Sequence, residues 1–427
     1  MALNANSFLP TAVTMSRTII TPLAIAFLSI ASVSAKQPLK VFILAGQSNM
    51  EGHAKVSVLD YVGEDPQTAP MLKQIKNADG THRMIDGVWI SYLTGEQGRL
   101  DRDNREVFGQ LTAGYGNQGG RNYDQPGQKI GPELMFGITM QKGLGEPVLL
   151  IKTAWGGQSL HTDYRSPSSG PYVPSPDDIK RERFSTPEKQ AELKKKTGAR
   201  YKQMIDHVRF VLSDIKRVYP DYDLDQGYEL AGLVWFQGFN DMVGRNVYPE
   251  VKGDTKTPRF AKYTEWFGNF IRDTRKDLNA PKMPFVIGVM GVGGMMPNAG
   301  NQAFRESQAA VADLPEFKDN VFAVPTAPFW DERLGEIDKK RDKVRQKSYL
   351  LRTENKNHEN ADGKMTKEQQ RAAVTAFEKT LFTDDDYDLE KRGKSNAGYH
   401  YLGSAKTFVL IGQAFANALL ENRPSKN

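Results

Sequence analysis

The chain has 427 residues, of which 39% are hydrophobic and 25% charged, enough apolar content to build a sizeable core in one large domain. Its formal net charge of +6, from 57 basic and 51 acidic residues, is spread along the sequence, and the densest basic stretch, around Lys180 and Lys194–Lys196, is interleaved with Glu182, Glu188 and Glu192. That pattern describes a solvated helical face and argues against a nucleic-acid partner, while the absence of cysteine excludes disulfides, thiolate nucleophiles and Cys-ligated zinc.

Near the N-terminus, Arg17 precedes the apolar run Ile19–Ile30 and the small-residue stretch Ala31–Ala35, which ends in Val-Ser-Ala. This is the pattern of a secretory leader over 1–35, with cleavage after Ala35 and export to the periplasm or the medium. The run is too short for a comfortable membrane span of about 20 residues, so no membrane association is expected after cleavage.

Five later runs read as buried parallel strands: Leu39–Ala45, Val88–Leu93, Pro147–Ala154, Leu230–Phe236 and Pro284–Val292. Each is rich in Val, Ile and Leu without clean alternation, as strands covered on both faces are. Helical periodicity marks Gly131–Lys142, Tyr201–Tyr219, Ala261–Leu278, Gln302–Leu314, Met365–Leu381 and Gly403–Leu420. Strands alternating with helices predict an α/β fold, a three-layer α/β/α sandwich around a mostly five-stranded parallel sheet. A single domain over 36–427 is expected, with long loop insertions at about 94–129, 159–200 and 331–394. Ligands in such sheets bind beyond the carboxyl ends of the strands.

Three strand ends carry candidate chemistry. Leu39–Ala45 runs into Gly46-Gln47-Ser48-Asn49-Met50, which puts Ser48 just past a strand, either as a nucleophile near helix-start amides or simply as an N-cap. Val148–Ala154 runs into Trp155-Gly156-Gly157, where a bare glycine amide can face a substrate. Leu233–Phe236 runs into Gln237-Gly238-Phe239-Asn240-Asp241, delivering amide side chains. Tyr399-His400-Tyr401 then precedes the last amphipathic helix. A serine, two oxyanion donors and a histidine are the parts of acyl transfer.

In these residues the chain resembles the SGNH hydrolases, in the variant typical of carbohydrate acetylesterases and sialate O-acetylesterases. Gly46–Met50 is similar to their first block, Gly157 to the second, Gly238–Asp241 to the third, and His400 stands where the fifth block has its histidine. The resemblance implies a flavodoxin-like α/β/α fold and ester hydrolysis without metal or cofactor, frequently of acetyl groups on sugars. It also implies Ser48 and His400 as catalytic residues, with Ser48, Gly157 and Asn240 as oxyanion donors. The family places its acid three residues before the histidine, and here that position is Ala397. The candidates to replace it are Asp241, Asp163, the cluster Asp384–Asp386, or a backbone carbonyl in a dyad. Gln47, Trp155, Gln237 and His161 are candidate substrate contacts, and Tyr164, Tyr172, Trp235 and Phe239 offer further aromatic faces near the strand ends. His53, His82, His207 and His358 have no partner spacing. The expected activity is hydrolysis of O-acetyl esters on an acetylated glycan through an acyl-Ser48 intermediate. The alternatives are an esterase or lipase of non-carbohydrate esters, and a non-catalytic glycan-binding protein on an esterase scaffold.

Overall fold

The computed structural model describes residues 11–12, 37–95, 105–118, 126–176, 179, 184–244, 247–248 and 258–423. The chain divides into the units Met1–Lys36 and Gln37–Asn427, and the expected leader, apart from Thr11 and Ala12, lies outside the described residues. Among the described residues no helix is long and apolar enough to cross a membrane.

In the second unit the strands are β1 (Leu39–Gly46), β2 (Ala54–Lys55), β3 (Val88–Leu93), β4 (Glu106–Gln110), β5 (Lys129–Ile130), β6 (Val148–Ala154), β7 (Tyr228–Phe236), β8 (Phe285–Val289) and β9 (Val321–Pro325). Seven of them form one sheet in the order β4-β3-β6-β1-β7-β8-β9, parallel except for β4, which runs antiparallel to β3. All five expected strands are present. The sheet is larger than expected because each edge gains a short strand. β4 lies in the polar segment expected as a loop, and its half-buried residues gave no continuous apolar run. β9 is only five residues long and closes on a proline, so its signal is equally weak.

The central strand is buried along its whole length, and its alternate side chains feed two cores. Phe42 and Leu44 pack with Phe136 and Phe408 from the helices Glu133–Leu144 and Ala405–Glu421. Val41, Ile43 and Ala45 pack on the other face with Val208 and Phe267 from the helices Ala199–Ser213 and Ala261–Asp277. Both faces of the sheet are therefore covered, giving the three-layer sandwich.

The charged segment 331–394 is helical rather than loop-like, with helices at Glu332–Arg352, Lys367–Leu381 and Asp384–Gly393. They enclose a third core, in which Leu334, Ile337, Phe382 and Leu389 pack with Tyr61 and with Leu402, two residues past His400.

Register sets the level of the site. Gly46 at the end of β1 pairs with Ala154 of β6 and with Phe236 of β7. The three chemistry-bearing turns thus leave the sheet side by side, at the carboxyl edge where such folds bind ligands.

Candidate active site

The turn after β1 is built around a close backbone approach. Gly46 has φ of +155°, and a Cβ there would stand 2.2 Å from the Phe236 carbonyl oxygen. The chain bends past β7 into the one-turn helix Ser48–Glu51, which leaves Ser48 at its first position and 6% exposed. Gln47 is the fastener: its Oε1 accepts from the Gly238 amide at 3.1 Å and from Gln237 Nε2 at 3.2 Å, and its Nε2 donates to Asn240 Oδ1 at 3.2 Å. Asn240 Nδ2 in turn donates to the Gly157 carbonyl at 2.9 Å. The turns carrying Ser48, Gly157 and Asn240 are thereby linked into one unit. Among the described residues, neither the Ser48 nor the Gly157 amide donates to a loop or turn carbonyl.

His400 sits in the turn Gly398–Gly403, where Tyr401, Leu402 and Gly403 take left-handed φ values of +50°, +63° and +60°. Two consecutive non-glycine residues there are strained, so the surroundings must hold them. Leu402 O accepts from the Ser395 and Asn396 amides, both at 3.0 Å, and Ser395 Oγ donates to Gly403 O at 2.7 Å. The buried Tyr401 hydroxyl accepts from the Gly291 amide at 2.7 Å and shares a hydrogen with Thr326 Oγ1 at 2.5 Å. Asn49 Nδ2 donates to Tyr399 O at 3.2 Å and ties this turn to the Ser48 helix.

The His400 ring is 8% exposed, and its Nδ1 lies 3.0 Å from Asn396 Oδ1. An amide oxygen can only accept, so this contact puts the ring hydrogen on Nδ1 and leaves Nε2 as the acceptor. No hydrogen bond joins Ser48 Oγ to the His400 ring among the described residues. Burial above all, then the charges of His53 and Lys129, pull the His400 pKa down to about 3. The imidazole is neutral at pH 7, in the form a general base requires.

The third member is not one of the expected carboxylates. Asp241 is engaged by other partners: it accepts from His161 Nδ1 at 2.9 Å, the Leu160 amide at 2.8 Å, Tyr248 Oη at 2.7 Å and Gln237 Nε2 at 2.6 Å. Burial pushes its carboxyl up, but His161 and these hydrogen bonds outweigh that and hold it below the usual range. Asp163 accepts from the amide and hydroxyl of Ser159 at 2.7 and 2.8 Å, and burial raises its pKa. The Asp384–Asp386 cluster begins a helix, where Asp386 caps Thr383 and binds Lys340 at 2.6 Å. Asn396, beside Ala397, takes the place against the imidazole. It supplies the orienting contact without a negative charge.

The other expected contacts divide. Trp155 is fully buried in the second core, with the Arg200 guanidinium 4.6 Å over its ring, and Trp235 lies in the same core, so neither reaches a substrate. Gln47 and Gln237 are buried and bind protein partners, which makes them scaffold. His161 does line open space: with Tyr172, Gly157 and Asn240 it borders a cleft of about 740 Å³ whose rim also carries Lys189 and Lys196. Ser48 and His400 lie outside the lining of that cleft.

Two features beneath the site had no visible signal in the sequence. His53 stacks on His400, with ring centres 4.0 Å apart and planes 5° from parallel, and Glu51 Oε2 lies 3.3 Å from His53 Nε2. Deeper still, Lys152 of β6 and Glu133 form a wholly buried ion pair at 2.9 Å, in which Lys152 Nζ also donates to Glu51 O at 2.8 Å and Tyr115 O at 2.7 Å. Burial pushes the Glu133 pKa up and the Lys152 pKa down, both against their mutual attraction.

Among solved structures, the chain is similar to a carbohydrate acetylesterase from Xanthomonas citri, at 16% identity and a TM-score of 0.38 over 67% of this chain and 49% of that one. It thus matches about half the length of that protein. It is also similar to a protein from Arabidopsis thaliana, at 16% identity and a TM-score of 0.35 over 68% of this chain and 86% of that one. NanS is similar at 13% identity and a TM-score of 0.34, over 68% of this chain and 78% of that one. No curated protein sequence matches the chain. Residues 119–327 match the family model described as carbohydrate esterase, sialic acid-specific acetylesterase; Gly157 and Asn240 lie inside this stretch, Ser48 and His400 outside it. Through that stretch, just under half of the chain, the protein is similar to the sialic acid-specific acetylesterase family of carbohydrate esterases.

Proposed function

We propose that the protein is a serine esterase that removes acyl groups, O-acetyl above all, from a carbohydrate through an acyl-Ser48 intermediate. The observation that carries this reading is the shared level of three strand ends. The register Gly46–Ala154 and Gly46–Phe236 sets the Ser48, Gly157 and Asn240 turns side by side, and Asn49 joins the His400 turn to them.

In this reading His400 Nε2 takes the Ser48 hydroxyl proton as Oγ bonds to the ester carbonyl carbon. The Ser48 and Gly157 amides and the Asn240 side chain receive the developing oxyanion. The bond to the sugar oxygen then breaks, and that oxygen leaves with the proton from His400. Water, deprotonated by His400, attacks acetyl-Ser48; acetate departs and the proton returns to Ser48 Oγ. His400 is neutral at rest and has its Nδ1 hydrogen fixed by Asn396, which suits it to accept at Nε2. The cleft beside Gly157 and Asn240, with the Tyr172 ring and two lysines at its rim, is where the sugar is proposed to lie.

Ser48→Ala tests the nucleophile: hydrolysis of p-nitrophenyl acetate should fall by at least about 10³-fold, and labelling by an organophosphate should disappear. Wild-type turnover in that variant refutes the assignment. Acetate release from acetylated xylan, alginate or sialic acid, set against release from long-chain acyl esters, tests the substrate class. Preference for the long chains favours a lipase-like enzyme instead.

A further inference from the structure

Stabilising a cation on His400 is the unsolved electrostatic task of this site. In a Ser-His-acid triad, the contacting carboxylate both fixes the imidazole and stabilises the imidazolium formed at the transition state. Here Asn396 Oδ1 does the first and is uncharged. Among the described residues no carboxylate hydrogen-bonds to His400. The sequence does, however, put a glutamate and a second histidine directly after the nucleophile, in Ser48-Asn-Met-Glu51-Gly-His53.

The Ser48–Glu51 helix turns Glu51 inward, where it is 1% exposed. Gly52 allows the chain to double back: its φ is +88°, and a Cβ there would stand 2.3 Å from the Gly131 Cα. This return lays His53 flat against the face of His400, at 4.0 Å between ring centres. Glu51 Oε2 meets His53 Nε2 at 3.3 Å, and Glu51 Oε1 accepts from Asn117 Nδ2 at 2.6 Å, whose Oδ1 accepts from Lys129 Nζ at 2.8 Å. Both carboxylate oxygens of Glu51 are thus engaged, and the carboxylate is held at the edge of the ring that stacks on the base.

We propose that Glu51, held at the edge of the stacked His53 ring, supplies the negative charge that stabilises the His400 imidazolium, the task a contacting aspartate performs in related triads. This rests on the reading of Ser48 and His400 as nucleophile and base. His53 is a positioning residue: its Nε2 holds the carboxylate, and its face packs against the ring that becomes charged. Two parallel imidazoles cannot both be cationic cheaply, so a proton on His53 opposes one on His400. The charged groups facing the base are His53 and Lys129 on β5, with Lys55 facing Lys129 and the Tyr399 ring edge-on at 4.4 Å; Glu51, on the helix after β1, contacts His53 and acts on Lys129. Glu51 is the anion among them. One unit charge within several ångströms of a developing charge in a partly buried site changes a rate by roughly ten- to a hundredfold.

The test compares Glu51→Gln, which keeps shape and loses charge, with Glu51→Asp, which keeps charge. Glu51→Gln should lower kcat for p-nitrophenyl acetate about ten- to a hundredfold, leave KM within about twofold, and move the acid limb of kcat to lower pH. Glu51→Asp should retain most activity. Adding Asn396→Asp to Glu51→Gln puts a carboxylate in direct contact with the base and should restore most of the lost kcat. Wild-type kcat and pH profile in Glu51→Gln overturns the proposal, as does a double variant no better than the single one. Thermal melting of each variant separates a folding defect from a catalytic one. If Glu51→Gln does not fold, His53→Gln is used in its place, with the same expected loss and the same Asn396→Asp rescue. Ser48→Ala is measured in parallel: activity surviving there defeats the underlying esterase reading, whereas an inactive Ser48→Ala beside a fully active Glu51→Gln defeats only the role of Glu51.

Discussion

At the scale of single residues, the side-chain oxygen of Asn396, 3.0 Å from Nδ1, fixes the His400 ring. An acid three positions before the histidine falls at Ala397, so the sequence pointed to remote carboxylates. The structure instead bends the chain through three left-handed residues after His400, and that curl brings the position four before it against Nδ1. Nothing in local propensity predicts two consecutive left-handed non-glycine residues, so this partner was not legible. Ser48 and the turns at Gly157 and Asn240 were legible, because each follows a strand whose burial is obvious from its composition. If the amide only orients the ring, Asn396→Ala should lower kcat for an acetyl ester by about 10²-fold. Substrate affinity and melting temperature should stay near those of the parent, and a larger fall in melting temperature than in kcat would mark Asn396 as purely structural.

At the level of elements, the central strands announced themselves as continuous apolar runs, and the edge strands β4 and β9 did not. An edge strand is stabilised by one neighbour far away in sequence, as Glu106–Gln110 is by Val88–Leu93, and needs no apolar signature of its own. The same argument explains Lys152. Lys152, inside the buried strand Val148–Ala154, is the anchor that binds Glu133 and the carbonyls of Glu51 and Tyr115 beneath the Ser48 helix. Lys152→Met should destabilise the protein by roughly 3–5 kcal/mol, since it leaves Glu133 buried without its partner. Adding Glu133→Leu should recover much of that stability, as chemical denaturation will show; a single variant as stable as the parent would contradict the role given to the pair.

For the whole molecule, the histidines link folding to pH. His207 lies buried between β3 and its own helix, 2.8 Å from Ser91 Oγ, and burial lowers its pKa from the ordinary 6.5 to about 4. His400 is lowered further, to about 3. Both groups bind protons more readily in the unfolded chain, so unfolding takes up protons once the pH drops below about 6.5. The stability they contribute is complete above that pH and is lost as the pH falls towards 4. For His207 alone the loss is about 3 kcal/mol. Urea denaturation between pH 7 and pH 4 should show this slope, and His207→Gln should flatten part of it; an unchanged slope would mean that His207 does not carry the linkage.

The helical segment 331–394 closes its own small core over Leu402, so the floor under His400 belongs partly to a subassembly built by a distant stretch of chain. Heat, denaturant or proteolytic nicking that loosens this appendage would free the curl bearing the imidazole while the seven-stranded sheet stays intact. Loss of the proposed activity would then precede loss of the fold, and the protein's working range would be set by its periphery rather than by its centre.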